Sequence, residues 1–281
     1  MMAQVKWNRC DMAAPSYPRF FMRTRIDVAP MVLMLVLFAA FGIAAPGRAA
    51  TDGPYPVWWS DKLELESLDE VAARLRRALW PDFPEGMKLY KTQGAGHITA
   101  QGRNCNSLRK LSQEGYYGSN SSDIGVQNYH LSVCRAIALL GQAQPAHTSH
   151  LRDFMLNTEA VRYLPPLVNL QASCHQVCQA YFANRRRVPL TEFEDIERIE
   201  VTNEDSLIVW TLGWRVKMSL IARGDFNSDG MDDILLVSHG GATEGTMRGA
   251  DLYVLTREKP AAVLRVLNAQ EHLCPDYTGC R

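Results

Sequence analysis

Asp225, Asn227 and Asp229 place oxygen-bearing side chains on alternate positions of one short segment, GDFNSDGMDD, over Gly224–Asp233. Counting Asp225 as the first position, Met231 stands seventh and Asp233 ninth. Calcium takes about six to eight oxygen ligands, and a short loop supplies them at this kind of spacing. Asp225, Asn227 and Asp229 offer side-chain oxygens. Met231 offers only its backbone carbonyl, which leaves its side chain free to be apolar. Asp233 supplies the closing carboxylate. Gly230 permits the sharp turn that a side chain would resist. Carboxylates held this close repel one another, so the folded loop favours a cation. Asp232 points away by alternation and adds negative potential.

Position twelve is Leu236, where an EF-hand needs a bidentate Glu, and strand-like segments flank the loop instead of helices. The order Asp225, Asn227, Asp229, Gly230, Asp233 resembles the calcium loop of FG-GAP repeats, the VCBS-type and integrin-alpha-like family with the signature D-x-[DN]-x-D-G-x-x-D. That resemblance covers about 15 to 40 residues and implies calcium between two strands. It occurs once here, and too few β-like residues remain for a propeller of about four to eight blades. An acidic hairpin turn would use the same Asn, Asp, Ser and Gly residues, but has no need of Asp at positions one, five and nine.

Other segments say less. Arg223-Gly224-Asp225 spells the triplet that integrins bind, yet a ligand role needs Asp225 exposed and calcium needs it coordinated. His239-Gly240-Gly241 resembles the start of an esterase oxyanion loop, but no G-x-S-x-G elbow accompanies it, and no H-E-x-x-H occurs. His130 lies beside a helical apolar face and reads as a core histidine. Loop polarity accounts for His147 and His150. Cys174-His175-x-x-Cys178 lacks a second pair to complete a zinc site.

The apolar run Met31–Ala45 follows Arg23 and Arg25 and ends in small residues, the order of a signal peptide with cleavage after Ala49. The run is shorter than the ~20 residues that a membrane span needs. Met22 would make a more compact leader than Met1, so peptides mapping to Met1–Phe21 in precursor protein would refute a start at Met22. Residues 1–49 hold six of the 30 basic and two of the 30 acidic residues, which leaves 24 basic, 28 acidic and a net charge of −4. A basic nucleic-acid footprint is absent. Behind the leader stand Cys105, Cys134, Cys174, Cys178, Cys274 and Cys280, an even set suited to disulfides in an oxidising compartment. Cys274 with Cys280 is the simplest pair, because Pro275 and Gly279 let the tail turn back.

Around the loop, the elements divide in two. Ser67 to Glu70 spells a capping box, and Leu68, Val71, Ala72, Leu75 and Leu79 keep helical spacing up to Trp80, before Pro81. A second helix spans 125–140, with Asp123 as cap and Gly141 as terminator. Weaker helical signals lie over 108–114, 151–164 and 174–184. After about Thr191, segments 196–201, 207–212, 214–220, 234–237, 252–255 and 263–267 read as strands. No period repeats across the chain. The expected class is α+β, with a helical N-terminal part packed on a C-terminal antiparallel meander of five or six strands. The expected divisions are a leader over 1–49, a mainly helical region over 51–190 and a β region over 191–281, the last two as separate units or as one domain.

The first expectation for function is an exported, periplasmic or secreted, non-enzymatic binding or envelope protein with one structural Ca2+ and an envelope or extracellular partner. A secreted hydrolase of envelope polymer, with calcium purely structural, is the second, and a concave pocket collecting titratable groups away from the loop would favour it. A calcium-dependent adhesion module is the third and predicts exposed aromatic residues near the metal, Trp210 and Trp214 being nearby in sequence.

Overall fold

The computed structural model describes residues 54–78, 85–169 and 174–267. The expected leader, its cleavage site and the Cys274–Cys280 pairing lie outside them. The elements in chain order are β1 (Trp58–Trp59), α1 (Val71–Arg74), β2 (Met87–Gln93), β3 (Gly96–Gly102), α2 (Cys105–Gln113), α3 (Ser121–Leu140), α4 (Cys174–Arg185) and α5 (Leu190–Phe193). There follow β4 (Ile196–Asn203), β5 (Ser206–Thr211), β6 (Trp214–Gly224), β7 (Asp233–Ala242), β8 (Arg248–Thr256) and β9 (Arg265–Val266). No helix among the described residues is long and apolar enough to cross a membrane.

Strands β4 to β9 form an antiparallel meander in sequence order. β1 continues the lane of β5 by pairing with the far end of β6, Trp58 opposite Arg223 and Trp59 opposite Ala222. The class is therefore α+β, as the sequence patterning implies. Alternation along the strands sorts side chains to two faces. Leu235, Val237, Leu252 and Val254 pack with Val133, Ile137 and Leu140 of α3. Ile234, Leu236, Val216, Met218 and Leu220 pack on the opposite face with Leu151, Phe154, Leu164 and Leu190. β7 reads as a continuous apolar run because both its faces are covered. Each fully buried Leu or Ile contributes about 1.5–3 kcal/mol of transfer free energy, so the central strands anchor the sheet between its two apolar layers.

The N-terminal half departs from its expected helices. Of the run expected over 68–80, the described part holds one turn of 3-10 helix, Leu68–Glu70, and one of α-helix, Val71–Arg74, while Leu79 and Trp80 lie outside the described residues. Ser67 makes no side-chain cap; the Glu70 carboxylate accepts instead from the Glu66 amide at 3.5 Å. The helix stops because Arg74 is buried and donates to Leu63 O, and because Ala78 is drawn into a bridge with Asn104. β2 and β3 form a hairpin that the sequence patterning misses, since β3 is mostly exposed and only Met87 and Leu89 of β2 give an apolar face. The segment 151–164 is turns and a short 3-10 helix, Ala160–Tyr163, packed under the sheet.

α3 starts earlier than expected and ends at Gly141 as expected; Val133, Ile137 and Leu140 of the expected face are buried, Tyr129 is partly buried and Val126 is exposed. Asn120, not Asp123, is the cap: its side chain accepts from the Asp123 amide at 3.0 Å. A Cys105–Cys134 disulfide ties the start of α2 to the middle of α3. Cys178 is disulfide-bonded as well.

Candidate functional site

The acidic loop is the connection between the two central strands, closed by the pairing of Gly224 with Asp233. Asp225 organises it. Its Oδ1 accepts from the amides of Asn227 at 3.2 Å, Ser228 at 2.6 Å and Asp229 at 3.2 Å, and its Oδ2 accepts from Gly230 at 2.8 Å. Four amides can converge on one carboxyl only if the chain curls tightly. Ser228 and Gly230 supply the curl with φ of 63° and 80°, the left-handed values that a small polar residue and glycine tolerate. Asn227 Oδ1 accepts from the Asp229 amide at 3.0 Å, and Asp229 Oδ1 accepts from the Met231 amide at 2.8 Å. Asn227 Nδ2 donates to Asp229 Oδ2 at 2.9 Å.

A strap that the sequence does not announce holds the loop from outside. The Gln144 and Asp225 backbones exchange hydrogen bonds at 3.0 and 2.9 Å. Gly230 O accepts from the amides of His147 and Thr148, and the Asp232 amide donates to Thr148 O. Asp232 does point away from the loop interior, as alternation requires, but it does more than add potential: Ser149 Oγ donates to its Oδ2 at 2.7 Å. Burial raises its pKa, and the Ser149 hydroxyl and the Arg223 charge pull the other way. Arg223 Nη1 donates to Leu151 O at 2.7 Å and its Nη2 to Phe154 O. Asp225 is 3 % exposed, so the Arg-Gly-Asp triplet is built into the wall rather than displayed.

Asp233 is the anomaly of the site. It is fully buried; Oδ2 accepts from the Phe226 amide at 3.3 Å, while Oδ1 has no hydrogen-bond partner. Thr256, its cross-strand partner, faces it without reaching hydrogen-bond geometry, and its hydroxyl is unpartnered too. Burial pushes the Asp233 pKa up to about 7; the nearby Thr256 hydroxyl and the Phe226 amide pull it down, and Asp229 and Asp225 add repulsion. As the side chains lie, the described residues assemble no group of three or more His, Cys, Asp or Glu that could hold a metal ion. The donor chemistry nevertheless fits calcium: only oxygens are offered, three carboxylates share one turn, and one buried carboxyl oxygen makes no hydrogen bond of good geometry.

Elsewhere, His130 is a core histidine, 6 % exposed, with its pKa lowered to about 4 by burial. Trp210 and Trp214 lie at the other end of β5 and β6 from the acidic loop. At that end, a cavity of about 580 Å³ collects Tyr129, Trp210, Arg215, His239 and Arg248. The sequence gives His239-Gly240-Gly241 no catalytic partner, because its meeting with Tyr129 and Arg215 is long-range and carries no local signal. No protein-family model, curated protein or solved structure matches the chain.

Proposed function

We propose that the chain is an exported protein, periplasmic or secreted after cleavage behind Ala49, whose acidic loop takes one calcium ion through Asp225, Asn227, Asp229, the Met231 carbonyl and Asp233. The observation that carries this reading is Asp233: a fully buried carboxyl with an unpartnered oxygen, beside two further carboxylates. Burying such a group without a counter-charge costs several kcal/mol, and a divalent cation removes both the repulsion and the missing partner. When bound, the ion supplies charge neutralisation and cross-links the closing strand pair to the turn. Asp225 organises the loop backbone, and the strap over 144–149 fixes where the loop sits.

The role is structural, in a protein that binds an envelope or extracellular partner. Disulfides at Cys105–Cys134 and at Cys178 support an oxidising compartment. The test is thermal melting with and without calcium. Millimolar calcium raises Tm in the wild type, and the rise is lost in Asp225→Ala and in Asp229→Ala. Asp229 is exposed, so its variant keeps the fold and isolates ion binding. No shift in the wild type overturns the proposal.

A further inference from the structure

The cavity at the far end of β6 and β7 combines three properties that the calcium reading does not use. Among the described residues its lining carries two guanidinium groups, Arg215 and Arg248, and the imidazole of His239, and no Asp or Glu. Its walls are aromatic and apolar, from Tyr129, Trp210 and Val126. Val126 is 37 % exposed, although it lies on the helix face that reads as core. Its floor is backbone, because Gly240 and Gly241 admit no side chain: a Cβ there would lie 2.1 Å from Arg215 O or from Met247 O.

The cations are not neutralised locally. Among the described residues, neither Arg215 nor Arg248 forms a salt bridge. Arg215 lies over the Trp210 ring at 5.3 Å from its centroid, a ring that Arg198, itself paired with Glu200, also covers at 4.4 Å. Arg248 uses Nη1 on the carbonyls of Ala242 and Met247 at 3.0 and 2.9 Å. Of the carboxylates on the adjoining elements, Asp251 pairs with Arg135 at 3.3 Å, Asp123 accepts from Asn120 and Ser119, and Glu244 stands exposed just beyond Thr243, outside the lining. His239 packs against the edge of Tyr129 at 5.0 Å. Burial keeps it toward the neutral form, with Lys217, Arg215 and Lys62 acting in the same direction. A neutral imidazole can offer a hydrogen bond without adding charge.

We infer that this cavity binds a small organic oxyanion with a flat apolar body, its carboxylate or phosphate held by Arg215 and Arg248 and its ring against Tyr129 and Trp210. A volume of about 580 Å³ lies inside the range of small-molecule sites, and guanidinium groups match planar and tetrahedral oxyanions alike. The inference deepens the binding-protein part of the proposed function and does not depend on calcium. β7 spans the sheet between Asp233 and Gly241, roughly 26 Å at ~3.3 Å per residue, so the two sites do not share ligands.

The test is calorimetric titration of the full exported chain with 2-naphthoate, 2-naphthyl phosphate and uncharged 2-naphthol, each in calcium and in chelator. At least one anion binds saturably with one site per chain and at least tenfold more tightly than 2-naphthol. The tighter head group tells carboxylate from phosphate. Arg215→Gln weakens it by roughly 10- to 100-fold, the span expected for a charge-assisted hydrogen bond. Arg215 is exposed, so that variant folds, and an unchanged melting curve checks this. Arg248→Gln is the second variant. Equal binding of 2-naphthol and both anions, or full affinity in both Arg variants, overturns the inference. A missing calcium shift with intact anion binding sinks only the calcium reading, and the reverse sinks only this one.

Discussion

The two ends of the β6–β7 pair carry opposite unmet charge. At one end, Asp225, Asp229 and Asp233 crowd a tight turn, and most of their oxygens are spent on that turn's own amides. At the other, Arg215 and Arg248 face an aromatic-walled cavity with no acid among its described lining residues. β6 and β7 close on the acidic turn, whereas β6 supplies Arg215 and β8 supplies Arg248 at the cationic end, and both faces of the central strands are packed. A rigid, doubly covered ladder can hold like charges in place at its ends, where an isolated hairpin would let them splay apart. The difference lies in how far each end is already satisfied. The acidic end is closed on itself apart from one buried oxygen, whereas the cationic end is open.

Breaking the acidic end has the largest expected effect. Asp225→Ala removes a 3 % exposed carboxyl and leaves the amides of Asn227, Ser228 and Gly230 without their acceptor, Asp229 keeping Asn227 Oδ1, which costs on the order of 3 kcal/mol. Urea denaturation in chelator reads that loss directly, and a cost under about 0.5 kcal/mol would show that the loop does not depend on this carboxyl. Acid acts on the α3 layer that flanks the cationic end. His130 has a folded pKa of about 4 against an ordinary 6.5, so the stability its neutral form lends is present above pH 6.5 and is lost as pH falls toward 4. That loss is on the order of 2 kcal/mol, and His130→Leu should flatten the pH dependence of Tm over this window.

Asp233→Asn removes charge but keeps shape. In chelator at neutral pH it should leave stability unchanged or raise it by about 1 kcal/mol, since a repelled buried carboxylate is replaced by a neutral amide. A loss of more than that would mean the carboxylate is already paired. Arg215→Gln should have the smallest effect on stability, within about 0.5 kcal/mol at an exposed position, while changing anion binding strongly. Equal urea midpoints for the two chains check the first half of that statement.

The sheet was legible because its strands follow simple patterns: alternation in Trp214–Leu220 and a continuous apolar run in Ile234–Val237, now explained by burial on both faces. The acidic loop was legible because its five residues are neighbours in sequence. What was hidden depends on distant partners or on backbone atoms. The strap meets the loop through carbonyls and amides of Gln144, His147 and Thr148, which any side chain could carry. The helix expected up to Trp80 is cut short by a bridge to Asn104, more than twenty residues on. The cavity joins Tyr129 of α3 to His239 of β7, and an isolated histidine before two glycines gives no hint of that meeting.

Calcium titration of the wild type and Asp233→Asn, followed by calorimetry and by Tm, tests the central claim most directly. One ion per wild-type chain should bind, and at about a hundredfold excess over Kd it should add about 2.7 kcal/mol, or roughly 5–10 °C in Tm. The same titration of folded Asp233→Asn should give neither heat nor shift. A wild type that shows no heat and no change in Tm at millimolar calcium, or an Asp233→Asn chain that responds as the wild type does, would contradict the account.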